Sequence, residues 1–381
     1  EKSHRRLLLE LIERNEFSLK QIVNLVVRRE VPLDWFVVAL HPKEREFKLA
    51  PRMFSMLVFE IRIFFALTEA NIADHIFPHL PQQTMTKSRN EISRQFLEIT
   101  RPLSNEENLR LFIEIDLSRW NLRWRSAAVN PVAWSLNDMF GVEGIFDFCH
   151  EFFSEALILV RVNDLRPTDV HLEHPPESDL LWYNHLGGFE GICQKLWTIC
   201  TYAMVALALE DLPISYILLG QGDNQILSVM TQRITHESSH DTLLRLSKEI
   251  TSRVSIQCSK VNQEVKPEEC LESTSVITYS KDIYVNGVYR PTALKFHSRL
   301  FPHSSHIFPS MRTNIGAIFS TAVAGGERST NPMMSYFLAL FHSAMYMYRA
   351  SHGRGLYGPL VKSFRSRLGA DFKTFVTFCL T

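Results

Sequence analysis

Apolar positions along this chain switch between helical and strand periods, and the switches mark its elements. Leu7, Leu8, Leu11 and Ile12 recur at helical spacing, as do Phe54, Leu57, Val58 and Ile61. Residues 1–105 therefore read as mostly helical, punctuated by Pro78, Pro81 and Pro102. Leu111 to Ile115 is a short apolar run ending at Asp116, which predicts a buried strand with an acid at its carboxyl end. Pro131 to Val160 returns to helical spacing and is rich in Phe. Arg161 to Asp179 reads as a polar loop carrying Pro167, His171, His174, Pro175 and Pro176.

Gly187-Gly188 opens a helix predicted from about Phe189 to Leu209. Ile214 to Leu219 and Ile226 to Met230 are short runs of bulky apolar residues. The turn composition between them, Gly220-Gln221-Gly222-Asp223-Asn224-Gln225, predicts a hairpin. A helix follows from about Asp241 to Ser252. Ser275 to Tyr279 and Ile283 to Tyr289 predict a second strand pair, turning near Asn286-Gly287. The remainder reads as helical and locally basic, with Arg349, Arg354, Lys362, Arg365, Arg367 and Lys373.

Composition narrows the class. A chain of 381 residues with 45% hydrophobic and 22% charged positions can build a large core. Lys plus Arg equals Asp plus Glu at 41 each, which argues against a protein that coats nucleic acid over its whole surface but allows a locally basic channel. The six cysteines form no Cys-x-x-Cys pair, so a reducing compartment fits better than a secreted disulfide framework. The most apolar run, Ile199 to Leu209, is too short to span a bilayer. The first residue is Glu, and the expectation is a piece of a longer protein.

Candidate chemistry rests on two acids. Asp116 ends one predicted strand and Asp223 sits at the tip of a predicted hairpin. If the strands are neighbours in one sheet, both carboxylates reach one edge and need a cation between them. Hard oxygen ligands favour Mg²⁺, which takes one or two carboxylates together with substrate phosphates. Two such ions clamp the attacking and leaving oxygens of an in-line phosphoryl displacement. Taken alone, Asp223-Asn224 is simply a good turn sequence. The run Lys43-Glu44-Arg45-Glu46-Phe47-Lys48 with Arg52 supplies cations suited to a triphosphate, although a solvated helix face would look the same. Gly187 to Thr198 reads either as a glycine-opened nucleic-acid contact using Gln194 and Lys195 or as a loop-to-helix junction packed by Trp197. One motif points elsewhere: His236-Glu237-Ser238-Ser239-His240 fits H-E-x-x-H, a zinc hydrolase signature, but its flanks are polar and no third ligand follows.

Five stretches together match a known family: KEREFKLAPRMFSM, IDLSRWN, WYNHLGGFEGICQKLWT, LLGQGDNQ and VKPEECLESTSVITYSKDIYVNGVYRPTALK. They cover roughly residues 40–300 in the family's order and spacing. The chain resembles the L protein of non-segmented negative-strand RNA viruses, the mononegaviral large polymerase, with a faint bornavirus-like character. Gly-Asp-Asn-Gln in place of Gly-Asp-Asp is specific to that group.

The resemblance implies an α+β right-hand polymerase core, with an antiparallel palm sheet, helical fingers and the start of a helical thumb. It divides the chain into fingers over 1–105 and 126–186, palm over 106–125 and 187–300, and thumb over 301–381. It implies RNA-dependent RNA polymerisation for viral transcription and genome replication, with two Mg²⁺ or Mn²⁺ ions as cofactors and nucleoside triphosphates as substrates. Asp116 and Asp223 look like the metal-binding acids, and Asn224 like the family's Asn beside the catalytic acid. Asn121 matches the position that reads the ribose 2′-hydroxyl. Lys43, Arg45, Lys48 and Arg52 look like the phosphate-binding motif. Gly187, Gly188, Glu190, Gln194 and Lys195 match the template-handling motif. Lys266 matches a lysine that could protonate departing pyrophosphate.

Implied partners are RNA template and product, a viral phosphoprotein and nucleoprotein-coated RNA, with no membrane span. The implied location is the host cytoplasm and virion, or the nucleus for a bornavirus-like member. Pro51 and Ser280 depart from positions where relatives often carry Gly. Nothing resembles the family's capping or methyltransferase regions, so an inactive or endogenised fragment that only binds RNA or cofactors is the rival reading.

Overall fold

Two units divide the chain, Glu1–Ile277 and Thr278–Thr381. The computed structural model describes residues 11–12, 14, 17–42, 53–101, 103, 107–160, 180–234, 236–280, 282–301 and 310–351. The basic run Lys43, Arg45, Lys48 and Arg52 lies outside the described residues, as do Leu7, Leu8, the Arg161 to Asp179 stretch and the basic positions beyond Arg349.

In the first unit, helix Leu19–Val27 starts at Ser18, whose hydroxyl accepts the N–H of Gln21. Strands β1 (Val37–Pro42) and β2 (Met53–Met56) then pair antiparallel. Phe54 therefore lies on a strand, and helix Phe59–Asn71 begins later than the spacing of Phe54, Leu57, Val58 and Ile61 predicts. Four residues are too few for the two periods to separate.

Strand β3 (Asn108–Asp116) follows the capping-box helix Arg89–Ile99. Its residues alternate between two faces. Leu111, Ile113, Ile115 and, just beyond, Leu117 belong to the main core cluster. Phe112, Glu114 and Asp116 occupy the other face. The stretch from Pro131 to Val160 is two helices, Ser126–Phe140 and Phe148–Glu155, and then strand β4 (Leu157–Val160). Leu157, Ile158 and Leu159 are all buried, so both faces of β4 are covered and its sequence carries no alternation to give it away. β4 runs parallel to β1 and antiparallel to β5 (Leu181–Trp182), making a mixed sheet in the order β2-β1-β4-β5.

Helix Gln194–Leu209 starts five residues after the predicted Phe189. Gly191 at φ +95° and Cys193 at φ +54° hold the intervening chain out of helical geometry. The expected hairpin is present as β6 (Ser215–Gln221) and β7 (Asn224–Gln232). Helix Ser239–Lys260 runs past the predicted Ser252, because Leu246, Ile250, Val254 and Cys258 continue one buried stripe at four-residue intervals. β7 pairs with β3, and β3 with β8 (Glu272–Ser273), giving a fully antiparallel sheet in the order β6-β7-β3-β8. Leu196, Trp197 and Val205 of the 194–209 helix, and Leu246, Ile250 and Val254 of the 239–260 helix, share the core cluster with β3.

The boundary between units falls within β9 (Val276–Tyr279), which joins β10 (Asp282–Val285) and β11 (Val288–Arg290) in a three-stranded sheet ordered β11-β10-β9. The expected turn at Asn286-Gly287 is present, at φ +49° and +77°, and it divides the Ile283 to Tyr289 run into a hairpin. Helices Met311–Gly326 and Pro332–Ser351 complete the second unit around Leu300, Ile318, Ala322 and Ala339. The architecture is α+β, as expected. Among the described residues no helix is long and apolar enough to cross a membrane.

Candidate active site at the Asp116 and Asp223 sheet edge

The β3–β7 register decides the geometry of the two acids. Pairing runs from Asn108↔Gln232 to Asp116↔Asn224, so Asp116 and Asn224 stand directly across from each other on one face of the sheet. The next amide, Leu117 N–H, donates to the carbonyl of Asp223 at 3.2 Å. Asp223 is exposed at the tip of the β6–β7 hairpin, and Asp116 is half-buried at the same edge. Residues about a hundred positions apart are thus adjacent.

The hairpin tip is tied on several sides. Gln221↔Asn224 is the last ladder pair, which leaves only Gly222 and Asp223 in the turn. Gly222 sits at φ +57°. Its N–H donates to Thr198 Oγ1 at 3.0 Å, and its carbonyl accepts from Gln225 Nε2 at 2.9 Å. Gln225 is fully buried beneath the turn, and a Cβ at residue 220 would occupy the space of its amide group. The first glycine and the closing glutamine of the hexapeptide therefore fit one another. The Gly220 carbonyl accepts from Tyr202 Oη at 2.6 Å, Thr84 Oγ1 at 3.0 Å and Thr84 N–H at 3.1 Å.

On the other side of Asp116 runs the 264–273 segment. Ser118 N–H donates to the Glu264 carbonyl at 2.8 Å, and Lys266 N–H to the Asp116 carbonyl at 2.9 Å. The Cys270 thiol accepts from Asp116 N–H at 3.5 Å and donates to the Lys266 carbonyl at 3.2 Å. Burial, together with the nearby carboxylates of Asp116 and Glu114, pushes the Cys270 thiol up, so it stays protonated and able to donate. The Lys266 ammonium pairs with Glu269.

The remaining predicted positions form a second group. Asn121 follows Asp116 on the short helical turn Trp120–Arg123, and its carbonyl accepts from Gly188 N–H at 3.0 Å. Asn121 Oδ1 is buried without a hydrogen-bond partner. Gly187 lies against the Leu122 backbone and Gly188 against the Trp197 ring, where a Cβ would collide. The two glycines are thus required by packing in this structure. Glu190 bridges to Phe54 of β2.

Gln194 and Lys195 begin the 194–209 helix, and sequence reasoning missed what caps it. Glu69, from helix Phe59–Asn71, accepts the N–H of Lys195 at 3.0 and 3.1 Å and of Leu196 at 3.4 Å. Its carboxylate also lies 3.6 Å from Lys195 Nζ. An anion is favoured at this end of a helix. Burial nevertheless outweighs Lys195 and raises the Glu69 pKa.

The zinc reading loses its scaffold. Ser238 is the N-cap of the helix that begins at Ser239, so His236 and Glu237 precede the helix and His240 lies within it. The two histidines therefore do not share one helical turn. His240 is 82% exposed, and Glu237 accepts from Thr242 and lies beside Arg245. Among the described residues no group of three or more His, Cys, Asp or Glu gathers as a metal site. Mg²⁺ asks for fewer protein ligands than zinc does, and two carboxylates at one strand edge suit it.

The sequence model described as Mononegavirales RNA dependent RNA polymerase matches residues 1–362. The chain belongs to that family. Among its relatives is the "RNA-directed RNA polymerase L" of Lettuce big-vein associated virus, 29% identical over 88% of this chain and 17% of the relative. The protein of the same name from Rice yellow stunt virus is 28% identical over 79% of this chain and 16% of its own length. That of Vesicular stomatitis Indiana virus is 24% identical over 86% and 16%. This mononegaviral chain therefore spans about a sixth of the length of these relatives.

Proposed function

We propose that this chain is the nucleotidyl-transfer core of an RNA-dependent RNA polymerase. In this reading it joins a nucleoside monophosphate to an RNA 3′-hydroxyl, under template direction, with release of pyrophosphate. The observation that carries it is the register Asp116↔Asn224 with Leu117 N–H on the Asp223 carbonyl, which sets two carboxylate residues at one sheet edge. Asp116 and Asp223 would hold divalent ions, Mg²⁺ or Mn²⁺. When bound, two such ions neutralise charge on the attacking and leaving oxygens of the displacement. The rest is positioning and electrostatics supplied by the chain.

Lys43, Arg45, Lys48 and Arg52 would bind the triphosphate. Asn121, whose Oδ1 is buried and unpartnered and whose main-chain carbonyl holds Gly188 N–H, would help fix the incoming ribose. Gly187, Gly188, Glu190 and Gln194 would line the template side, with Lys195 held by Glu69 as a structural neighbour. Lys266, anchored through its main chain to Asp116, would offer a proton to pyrophosphate. In this scheme residues 106–125 and 187–300, with the β6-β7-β3-β8 sheet, are the palm of a right-hand fold, residues 1–105 and 126–186 are fingers, and the 301–381 region begins the thumb. RNA template and product and nucleoside triphosphates are the expected partners, together with a viral phosphoprotein and nucleoprotein-coated RNA. The expected location is inside the host cell and in the virion.

The test is primer extension with Mg²⁺ or Mn²⁺ by the full-length parent protein carrying Asp223→Ala. A loss of at least about a thousandfold, roughly 4 kcal/mol of barrier, is expected. Near-parental elongation by that variant would refute the reading.

A further inference from the structure

Three hydroxyls on the 194–209 helix face the sheet edge. Thr198, Thr201 and Tyr202 fall at i, i+3 and i+4, one stripe of a helix that is otherwise apolar there. All three are buried. Thr198 Oγ1 donates to the Gln194 carbonyl at 2.7 Å and accepts Gly222 N–H at 3.0 Å. Thr201 Oγ1 accepts from Trp120 Nε1 at 3.0 Å, and Trp120 lies four residues past Asp116. Tyr202 Oη donates to the Gly220 carbonyl at 2.6 Å. One helix face thus grips the chain on both acids' strands: through Trp120 beyond β3, and through Gly220 and Gly222 in the hairpin.

We infer that Tyr202 and Thr198 are positioning residues that fix where the Asp223 carboxylate stands relative to Asp116. The inference rests on the polymerase reading of the site. A two-residue tip bends easily unless its peptide planes are held. Here the plane before Gly222 is held by Thr198 and the one after it by the Gln225 amide, while the Gly220 carbonyl is held by Tyr202 and Thr84. The β6–β7 ladder itself pairs backbone to backbone as far as Gln221↔Asn224, and these side-chain contacts are added to it at the tip. A carboxylate that shares a small cation with a partner on another strand needs such a hold, since misplacement by about an ångström costs up to two orders of magnitude in rate.

Tyr202→Phe removes one oxygen and leaves Thr84 on the Gly220 carbonyl, so the fold has a substitute partner. Thr198→Val removes the acceptor for Gly222 N–H at nearly constant shape, and Thr198→Ser restores it. The experiment is primer extension by the full-length parent protein across a Mg²⁺ titration, alongside thermal melting and Asp223→Ala. Tyr202→Phe and Thr198→Val should raise the half-maximal Mg²⁺ concentration by roughly three- to tenfold. The melting temperature of Tyr202→Phe should stay close to the parental value, and Thr198→Ser should return to the parental Mg²⁺ curve. If Asp223→Ala still extends primers, the polymerase reading falls and takes this inference with it. If Asp223→Ala is inactive while Tyr202→Phe keeps the parental Mg²⁺ curve, the positioning role alone is refuted. Loss of Tyr202→Phe activity at every Mg²⁺ concentration, together with a lowered melting temperature, would likewise refute it in favour of a purely structural role.

Discussion

The Glu69 carboxylate closes the first turn of the helix that Lys195 begins, accepting the Lys195 N–H at 3.0 and 3.1 Å while its charge faces Lys195 Nζ at 3.6 Å. A residue from another helix thereby does the work usually given to a local Ser, Thr or Asp cap. Its removal leaves partly buried amides without this partner. Glu69→Ala should destabilise the chain by about 1–3 kcal/mol, and Glu69→Gln, which keeps an acceptor, by less. Urea denaturation of the two variants checks the order. Equal losses would mean that the charge, and not the amide contact, is what matters.

Gly220 and Gln225 should behave as one unit. A Cβ at residue 220 meets the Gln225 amide, so Gly220→Ala forces that buried side chain aside and strips the Gly222 carbonyl of its donor. A loss of about 1–3 kcal/mol is expected. Gln225→Ala should cost a similar amount, and the double variant less than the sum of the two. Strict additivity in this double-mutant cycle would contradict the fit between the two residues.

Acid should attack the core at His150. Burial holds this imidazole's pKa down at about 4, and its Nε2 accepts from Trp197 Nε1 at 3.2 Å. The folded pKa lies below the unfolded value of about 6.5, so the stability His150 contributes is full above that value and is lost as pH falls toward 4. The loss should be on the order of 3 kcal/mol across that window, at about 1.4 kcal/mol per pKa unit. His150→Gln, which does not titrate, should flatten this part of the pH–stability curve. Comparison of urea midpoints at pH 7 and pH 4.5 for parent and variant tests this. Identical pH dependence in the two would remove His150 from the account.

Ser280 carries backbone strain that a glycine would not. Its φ is +48° in the turn between β9 and β10. A left-handed backbone costs a side-chain-bearing residue about 1–2 kcal/mol, partly offset by the flexibility that glycine adds to the unfolded chain. Ser280→Gly should therefore stabilise the chain by about 0.5–1 kcal/mol, visible as a raised melting temperature. A lowered melting temperature would show that the serine side chain matters more than the strain.

The sequence revealed the parts of this fold whose pattern is local. The β6–β7 hairpin was legible because bulky runs flank a glycine-rich turn, and β3 because Asp116 closes an apolar run. Strand β4 was hidden, since burial on both sides erases alternation. The start of the 194–209 helix was misplaced because Cys193 adopts a left-handed backbone that cysteine rarely takes. At the candidate site, the two acids are singled out by the residues beside them in sequence. Glu69, Thr84, Tyr202 and Cys270 are not, because each reaches the site from a distant segment. The Thr198, Thr201, Tyr202 stripe was the one signal on offer, three hydroxyls on one face of an apolar helix.

The pairing of β3 with β7 also constrains how this chain is made. Synthesis delivers β3 about a hundred residues before its partner, a delay of about 5–20 s at ordinary rates of elongation. During that interval Leu111, Phe112, Ile113 and Ile115 have left the ribosome with an unpaired edge, the kind of segment that sticks to other nascent chains. β8, at residues 272–273, is made later still, so β3 waits on both sides for strands that follow it by a hundred residues or more. Slow codons or a bound chaperone in this stretch would change the yield of functional protein without altering a single residue of the finished site.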